Sequence, residues 1–394
     1  MSNNDPIVIV GQARTPMGGF MGALSSVKTP ELGASAIKAA VERAGLKGED
    51  VQEVIMGCVL PAALGQAPAR QASIGAGIPK SAGCTTINKV CGSGMKTIML
   101  AHDLLMAGTN EVMVAGGMES MSNAPHMLDN ARSGYRFGHG KLIDHMAFDG
   151  LEDAYEGQAM GVYAEDCVSK YDFTREEQDE FAITSLKRAQ KAIEEGAFKD
   201  EITPFTIASR KGETVVDTDE QPLKARLDKI PQLRPAFKKD GSVTAANASS
   251  ISDGAAAVVL MRQSEAEKRG LKPLAKIVGH ATHAQEPAEF TTAPVGAMKS
   301  LFEKTGWTQN DVDLFEINEA FAVVTMAAMK ELELDHDKVN VHGGACALGH
   351  PIGCSGTRIV VTLIEALRRY EKKRGVASLC IGGGEATALA IELV

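Results

Sequence analysis

The chain has 394 residues, of which 44% are hydrophobic and 23% charged, and its formal net charge is −9 at pH 7. This length accommodates about two to three domains with substantial cores, and the acidic balance argues against a general nucleic-acid-binding protein. No basic region followed by an apolar run stands near Met1, and seven cysteines without a Cys-x-x-Cys pair are typical of reduced thiols. We therefore expect a cytoplasmic protein that does not enter a membrane.

The first predicted elements of the chain occur a second time later in the sequence. Residues 9–13 form an apolar strand pattern that ends in small residues, and residues 277–281 resemble it. The helix–loop–strand pattern at residues 38–51 recurs 261 positions later, where Lys38, Glu42, Gly45, Asp50 and Val51 correspond to Lys299, Glu303, Gly306, Asp311 and Val312. The repeat predicts two α/β halves. Because strands and helices alternate, we expect mainly parallel sheets packed in layers.

Cys91 stands between a strand-like segment at residues 85–88 and a helix predicted to begin near Met95. A thiol at that position can meet the positive end of a helix dipole, which favours the thiolate. Gly92 and Gly94 permit a sharp strand-to-helix turn and close approach by a substrate. The pattern predicts a nucleophile, whereas the alternative is a buried, inert cysteine.

A segment of different composition separates the two halves. Residues 118–250 carry scattered prolines, glycines and mixed charge, with a helical pattern at residues 175–195, and are predicted to be an inserted loop domain. The N-terminal half then comprises residues 1–117 and 251–272, and the C-terminal half residues 273–394. Within the insert, residues 221–240 contain two aspartates and six cations, namely Lys224, Arg226, Lys229, Arg234, Lys238 and Lys239. This stretch is either a solvated charged surface or a binding site for a phosphorylated ligand.

His342, Cys346 and His350 follow one another at four-residue steps, which would place them on one face of a helix. The glycines between them and Pro351 oppose a helix, so we expect no metal site here. His350 is better placed as the base that deprotonates a thiol.

A second candidate thiol, Cys380, stands at the end of a predicted strand and precedes the glycines at residues 382–384. A phosphate-binding loop is the alternative, but the Lys-Ser/Thr ending of a P-loop is missing.

Four motifs occur in this order along the chain: Asn-Lys-Val-Cys-Gly-Ser-Gly at 88–94, Asn-Glu-Ala-Phe at 318–321, Gly-His-Pro-Ile-Gly at 349–353 and Cys-Ile-Gly-Gly-Gly at 380–384. Together they resemble the thiolases, and the resemblance covers essentially the whole chain. The Cys-Gly-Ser-Gly form resembles the biosynthetic acetoacetyl-CoA thiolases more than the degradative branch. It implies a thiolase-like fold and acetyl-CoA C-acetyltransferase activity, the reversible Claisen condensation of two acetyl-CoA to acetoacetyl-CoA and CoA. These CoA thioesters are substrates, and no separate cofactor is expected.

The resemblance also implies roles for particular residues. Cys91 would be acylated by the first acetyl-CoA, with His350 activating its thiol, and Cys380 would remove the α-proton of the second. His350, with a water held by Asn318, would stabilise one thioester oxyanion. The backbone N–H groups of Cys91 and Gly382 would stabilise the other.

For coenzyme A, the resemblance places Ser249 against pantetheine. Lys224 and Arg226 would face the phosphates, and Met160 and Phe321 complete the predicted contacts.

Three positions depart from the family pattern: Ala159 replaces a common histidine, Leu223 a common arginine and Glu385 a common methionine. These departures leave the acyl-chain range open.

Three alternatives remain. The nearest is a broad-range 3-ketoacyl-CoA thiolase of fatty-acid β-oxidation, which would use the same chemistry on longer chains. A decarboxylating ketoacyl synthase is disfavoured by Cys380, and a noncatalytic acyl-CoA-binding protein would leave the reactive groups unused. The resemblance further suggests a homotetramer, and a redox-sensitive Cys91–Cys380 disulfide is a further hypothesis.

Overall fold

The protein was analysed as a computed structural model that describes residues 5–210 and 212–394. Residues 1–4, which begin the predicted N-terminal half, lie outside the described residues. The described strands are β1 (Ile7–Arg14), β2 (Gly18–Gly19), β3 (Glu53–Gly57), β4 (Gly83–Ile87), β5 (Val112–Ser120), β6 (His126–Met127), β7 (Ile143–Asp144), β8 (Phe205–Ser209), β9 (Gly212–Val216), β10 (Ser252–Arg262), β11 (Ala275–Ala284), β12 (Leu314–Ile317), β13 (Arg374–Ile381) and β14 (Glu385–Leu393). The α-helices are α1 (Thr29–Arg43), α2 (Pro68–Gly75), α3 (Ser93–Met106), α4 (Met160–Tyr171), α5 (Arg175–Glu194), α6 (Glu220–Lys224), α7 (Gln263–Lys268), α8 (Ala293–Thr305), α9 (Ala322–Leu332), α10 (Ala345–Leu348) and α11 (Ser355–Arg369).

One mixed sheet runs through both halves, in the order β12-β13-β14-β11-β1-β10-β5-β3-β4. The α/β class is as expected, but the pairing is not mainly parallel: β12-β13, β3-β4 and β3-β5 are parallel, and the central strands are antiparallel. Only three residues separate β13 from β14, and so short a connection can join only antiparallel strands. Parallel strands therefore remain at the two outer ends, where helical crossovers connect them.

The predicted repeat is present in the structure. β1 and β11 each carry a register shift at the corresponding place, between Ile9 and Gly11 and between Ile277 and Gly279. Each half continues through a helix, α1 or α8, into a short 3₁₀ turn and then β3 or β12. Similar local sequences therefore formed the same local structure twice.

Two buried helices, α3 and α11, pack against each other through glycines at their N-terminal ends. A Cβ on Gly94 would lie 2.8 Å from the Thr357 nitrogen, and one on Gly356 would lie 2.3 Å from the Met95 nitrogen. The Thr357 hydroxyl donates a hydrogen bond of 2.8 Å to the Gly94 carbonyl. Because only glycine allows this approach, the loops that precede the two helices are brought together.

The inserted segment is anchored by a buried ion network. Arg14 at the end of β1 is fully buried; its Nε lies 2.5 Å from Glu201 and its terminal nitrogens 2.7 and 2.8 Å from the two Asp219 oxygens. β5 extends to Ser120, and α5 ends at Glu194, one residue before the predicted helix end. Within residues 5–210 and 212–394, no helix combines the length and apolarity that crossing a membrane would require.

Candidate active site

A cavity of about 460 Å³ opens where the two halves meet the inserted segment. Cys91, His350 and Gly382 line it together with Met160 and residues 248–250 of the insert. Residues from five separate parts of the sequence therefore converge on one space.

Cys91 lies on a sharp turn between β4 and α3. Val90 adopts φ +46°, a left-handed conformation that is costly for a β-branched residue. The Ser93 hydroxyl holds the turn, accepting from the Lys89 N–H at 2.8 Å and donating to the Val90 carbonyl at 2.7 Å. α3 begins at Ser93, two residues earlier than predicted. This turn presents the Cys91 side chain to the cavity.

The protonation state of Cys91 differs from the sequence expectation. Burial raises the pKa of its thiol to about 11, although hydrogen bonds from the Gly382 and Cys91 N–H groups act in the opposite direction. Desolvation of the thiolate outweighs these dipoles. In the unliganded protein Cys91 is therefore a neutral thiol at pH 7 and needs a base to become a nucleophile.

His350, which lines the same cavity, is the candidate for that base. Its Nδ1 lies 2.5 Å from the Ser355 oxygen, and the Ser355 hydroxyl donates to the Pro351 carbonyl at 3.0 Å. Since the serine proton is committed to that carbonyl, the Nδ1–H must donate to the serine oxygen, and Nε2 carries the free lone pair. Nε2 is buried and has no protein partner. Burial, assisted by the charge of Arg358, lowers the pKa of His350 to about 3, so the ring is neutral at pH 7.

Cys380 is the penultimate residue of β13 and does not itself line the cavity. Its side chain is fully buried, and burial together with the proximity of Cys91 raises the pKa of its thiol well above the ordinary value. After it, Gly382 faces the cavity, while Gly383 and Gly384 have φ of +91° and +86°. The absence of a side chain at Gly382 therefore allows a substrate to approach the backbone closely. Gly383 and Gly384 allow the positive φ angles that the turn requires.

Asn318 is buried, yet neither its amide nitrogen nor its amide oxygen has a protein partner. A buried amide without partners is expected to bind a water or a substrate. Its backbone N–H donates to the Ser378 carbonyl at 3.0 Å, which fixes it beside β13. This geometry is compatible with the predicted role of holding a water.

Three of the predicted coenzyme A contacts line the cavity, namely Ser249, Met160 and Phe321. The Ser249 hydroxyl and N–H both point to the Ala320 carbonyl at 2.9 Å, which joins the end of the insert to the start of α9. Ala159 also lines the cavity.

Lys224 and Arg226 do not line the cavity. Lys224 pairs with Glu220, and Arg226 lies 2.9 Å from Asp228. Their contact with coenzyme A stays a prediction.

The segment 342–351 differs from the expected irregular loop, because Ala345–Leu348 forms one helical turn, α10, between two glycines. Among the described residues, His342, Cys346 and His350 do not form a group whose candidate ligand atoms all lie within 4.8 Å of one another. The Cys346 N–H donates to Glu319 at 3.0 Å, and both ring nitrogens of His342 lack partners.

Sequence reasoning missed two residues that shape the site. Ser355 orients His350, as described above, and the only sequence signal was its position five residues later. Glu119 is buried at the end of β5 and accepts N–H bonds from Val59, Leu60 and Gly353 at 2.9 to 3.1 Å. It thereby links the loop after β3 to the loop that carries His350. This contact is tertiary, so it leaves no local pattern in the sequence.

Comparisons with known proteins identify the family. The model for the thiolase N-terminal domain matches residues 7–264, and that for the thiolase C-terminal domain matches residues 271–393. An Arabidopsis thaliana protein named acetyl-CoA acetyltransferase 2 is 52% identical over 395 residues, covering 100% of this chain and 98% of that protein. The acetyl-CoA acetyltransferase of Cupriavidus necator is 52% identical over 388 residues, covering 98% of this chain and 99% of that protein.

A similar fold is seen in a thiolase from Ascaris suum, whose crystal structure was solved in complex with coenzyme A. The two structures have a TM-score of 0.94 at 45% sequence identity, and the match covers 99% of this chain and 100% of that one. The resemblance found in the four sequence motifs is thus confirmed over both halves, and the chain belongs to the thiolase family.

Proposed function

We propose that this protein is an acetyl-CoA C-acetyltransferase that condenses two acetyl-CoA into acetoacetyl-CoA and CoA, reversibly, through an acetylated Cys91. The observation that carries the proposal is that His350, whose Nε2 has no protein partner, lines the same cavity as Cys91. A neutral nucleophile and a fixed acceptor that share one cavity are the pair of groups that general-base activation requires. The names of the relatives support acetyl-CoA as the substrate.

In the first half-reaction, His350 takes the Cys91 proton, and the sulfur attacks the thioester carbonyl of acetyl-CoA. The bond from the carbonyl carbon to the CoA sulfur then breaks, and the departing CoA thiolate needs a proton. Burial keeps Cys380 as a thiol, so Cys380 can supply that proton and become a thiolate. CoA leaves as a neutral thiol.

In the second half-reaction, the Cys380 thiolate removes a proton from the methyl carbon of a second acetyl-CoA. The resulting carbanion attacks the acetyl-Cys91 carbonyl, the bond to the Cys91 sulfur breaks, and that sulfur recovers the proton from His350. Cys91 regains its own proton from His350. Cys380, whose proton left with CoA, holds the proton from the methyl carbon instead, so both thiols are restored and two acetyl-CoA yield one acetoacetyl-CoA and one CoA. Run in reverse, the same steps are thiolysis.

Each half-reaction places negative charge on a thioester oxygen, which fixed N–H donors stabilise. The N–H groups of Gly382 and Cys91 already point toward the Cys91 sulfur, which supports their assignment to the acetyl group bound there. His350 and a water on Asn318 would serve the other oxygen.

The test is thiolysis across a chain-length series, with acetoacetyl-CoA at one end and 3-ketodecanoyl-CoA at the other. Preference for acetoacetyl-CoA is expected, whereas equal or greater kcat/KM on the longer substrate would instead identify a broad-range 3-ketoacyl-CoA thiolase. Intact-protein mass spectrometry after acetyl-CoA should show an acetyl adduct on wild type and none on Cys91→Ala. An equal adduct on that variant would refute the nucleophile.

We further infer a cytoplasmic location and a homotetramer. Sedimentation velocity should then show a species of four 41.6-kDa chains, and cell fractionation should place the activity in the cytosolic fraction.

A further inference from the structure

A second cluster of chemistry-bearing side chains lies outside the cavity, between the two halves. His102 and Asp103 belong to the last part of α3, and His280 lies on β11. His102 Nδ1 and His280 Nε2 each lie 3.0 Å from the same oxygen, Asp103 Oδ1. Among the described residues, this is the one group of three or more such side chains whose candidate ligand atoms all lie within 4.8 Å of one another.

The internal repeat provides a direct comparison for this cluster. His280 corresponds to Gln12, since each follows the glycine at the register shift of its strand. Asp103 corresponds to Glu365, since each lies ten residues after the serine that begins its helix. Gln12 Nε2 donates to Glu365 Oε1 at 2.7 Å. The fold therefore makes the same contact between halves twice, once with an amide and once with an imidazole.

The two copies differ in chemistry. The Gln12 copy has one amide and one carboxylate, and the residue matching His102 is Ile364. The His280 copy instead offers two imidazole nitrogens and one carboxylate oxygen. A hydrogen bond between halves needs only one donor and one carboxylate, so the second imidazole, whose ring lies edge-on to that of His280 with centroids 5.0 Å apart, is not required for that bond. The second imidazole does supply a further nitrogen ligand, which a metal site requires.

We propose that His102, Asp103 and His280 bind a divalent transition-metal ion of the Zn²⁺ class. Imidazole nitrogen with one carboxylate is a donor set that zinc and its neighbours prefer over Mg²⁺ or Ca²⁺. Tetrahedral ligands at about 2.0 to 2.1 Å from the metal stand about 3.3 Å apart, close to the two 3.0 Å separations observed. The Asp103 side chain is 57% exposed, which leaves an open side for entry and for water.

The bound ion would join α3 to β11. Because α3 begins at the Cys91 turn and β11 belongs to the opposite half, the ion would stabilise the packing of the two halves. Lys304 lies nearby, with its Nζ 3.3 Å from the His280 carbonyl. The positive charge of Lys96 also interacts electrostatically with the His280 ring. These charges disfavour any cation, so binding should depend strongly on the two imidazoles.

The probe is Co²⁺, followed by visible absorption on the full-length protein, with Zn²⁺ as competitor. The wild type should give d–d bands without the near-ultraviolet thiolate-to-cobalt band, and Zn²⁺ should remove them. His280→Gln is the matched variant, because Gln12 shows that glutamine at this place still hydrogen-bonds a helix carboxylate. Its affinity for Co²⁺ should fall by at least about 10- to 100-fold, which is the loss caused by removing a hydrogen-bond partner of a metal ligand.

His102→Gln should weaken Co²⁺ binding similarly, and both variants should keep wild-type acetyl transfer, which shows that they fold. Zn²⁺ should raise the Tm of the wild type and not that of either variant. Three results overturn the proposal: no Co²⁺ binding at millimolar concentration, His280→Gln affinity within twofold of wild type, or a thiolate band that Cys91→Ser abolishes. The last result would place the metal on the cavity cysteines.

Discussion

Replacing Ser355 with alanine tests the assignment of the His350 lone pair. In the wild type the serine oxygen accepts the Nδ1–H, which leaves Nε2 free to take the Cys91 proton. Alanine removes that acceptor and leaves the buried N–H unpaired, at a cost of about 1–3 kcal/mol. At about 1.4 kcal/mol per factor of ten, acetylation of Cys91 should slow by about 5- to 150-fold.

The assay is rapid quench with acetyl-CoA, followed by intact mass measurement of the acetyl adduct. The loss should appear in kcat and in the acetylation rate, while the KM for acetyl-CoA stays near wild type, because Ser355 is fully buried behind the histidine. Ser73→Ala is the matched control, since Ser73 is also buried on a helix but its hydroxyl has no partner. An acetylation rate within twofold of wild type in a folded Ser355→Ala protein would refute the reasoning.

Four other outcomes are expected. Because burial raises the pKa of Cys91 to about 11, alkylation by iodoacetamide in the free enzyme should rise about tenfold per pH unit between pH 7 and 9; a plateau from pH 7 would contradict this. Cys380→Ala should still acetylate Cys91, although more slowly because the departing CoA thiolate must take its proton from water, and it should lose deuterium exchange at the acetyl methyl by about 10² or more; exchange at the wild-type rate would identify another base. The Lys89–Glu385 ion pair joins the turn before Cys91 to the start of β14, so a double-mutant cycle on kcat should give a coupling of about 0.2–1 kcal/mol, with the charge-swapped pair recovering activity; additive losses would count against it. Arg14→Met should lower the free energy of unfolding in urea by about 3–5 kcal/mol, because it leaves its two buried carboxylate partners uncompensated, and a change below about 1 kcal/mol would show that the network is not stabilising.

Much of the site follows from local sequence. The turn at Cys91 needs small residues, a helix start and a hydroxyl at Ser93, and all of these lie within seven positions. The glycines after Cys380 likewise mark a tight turn that joins two strands. Such features depend on backbone conformation over a few residues, which the chain specifies locally. The duplicated halves also follow from the sequence, since equal patterns build equal units.

The tertiary structure determined the features that depend on distance and burial. Parallel or antiparallel pairing depends on which strands meet in the sheet, so the antiparallel centre could not be inferred from alternating strands and helices alone. The protonation states of Cys91 and His350 depend on desolvation, and burial reversed the expected thiolate. The acceptor role of Ser355 and the ties made by Glu119 arise only when distant loops come together. The sequence by itself determined the residues, the repeat and the family, and the packing of α3 against α11 determined which neighbours and which charges those residues have.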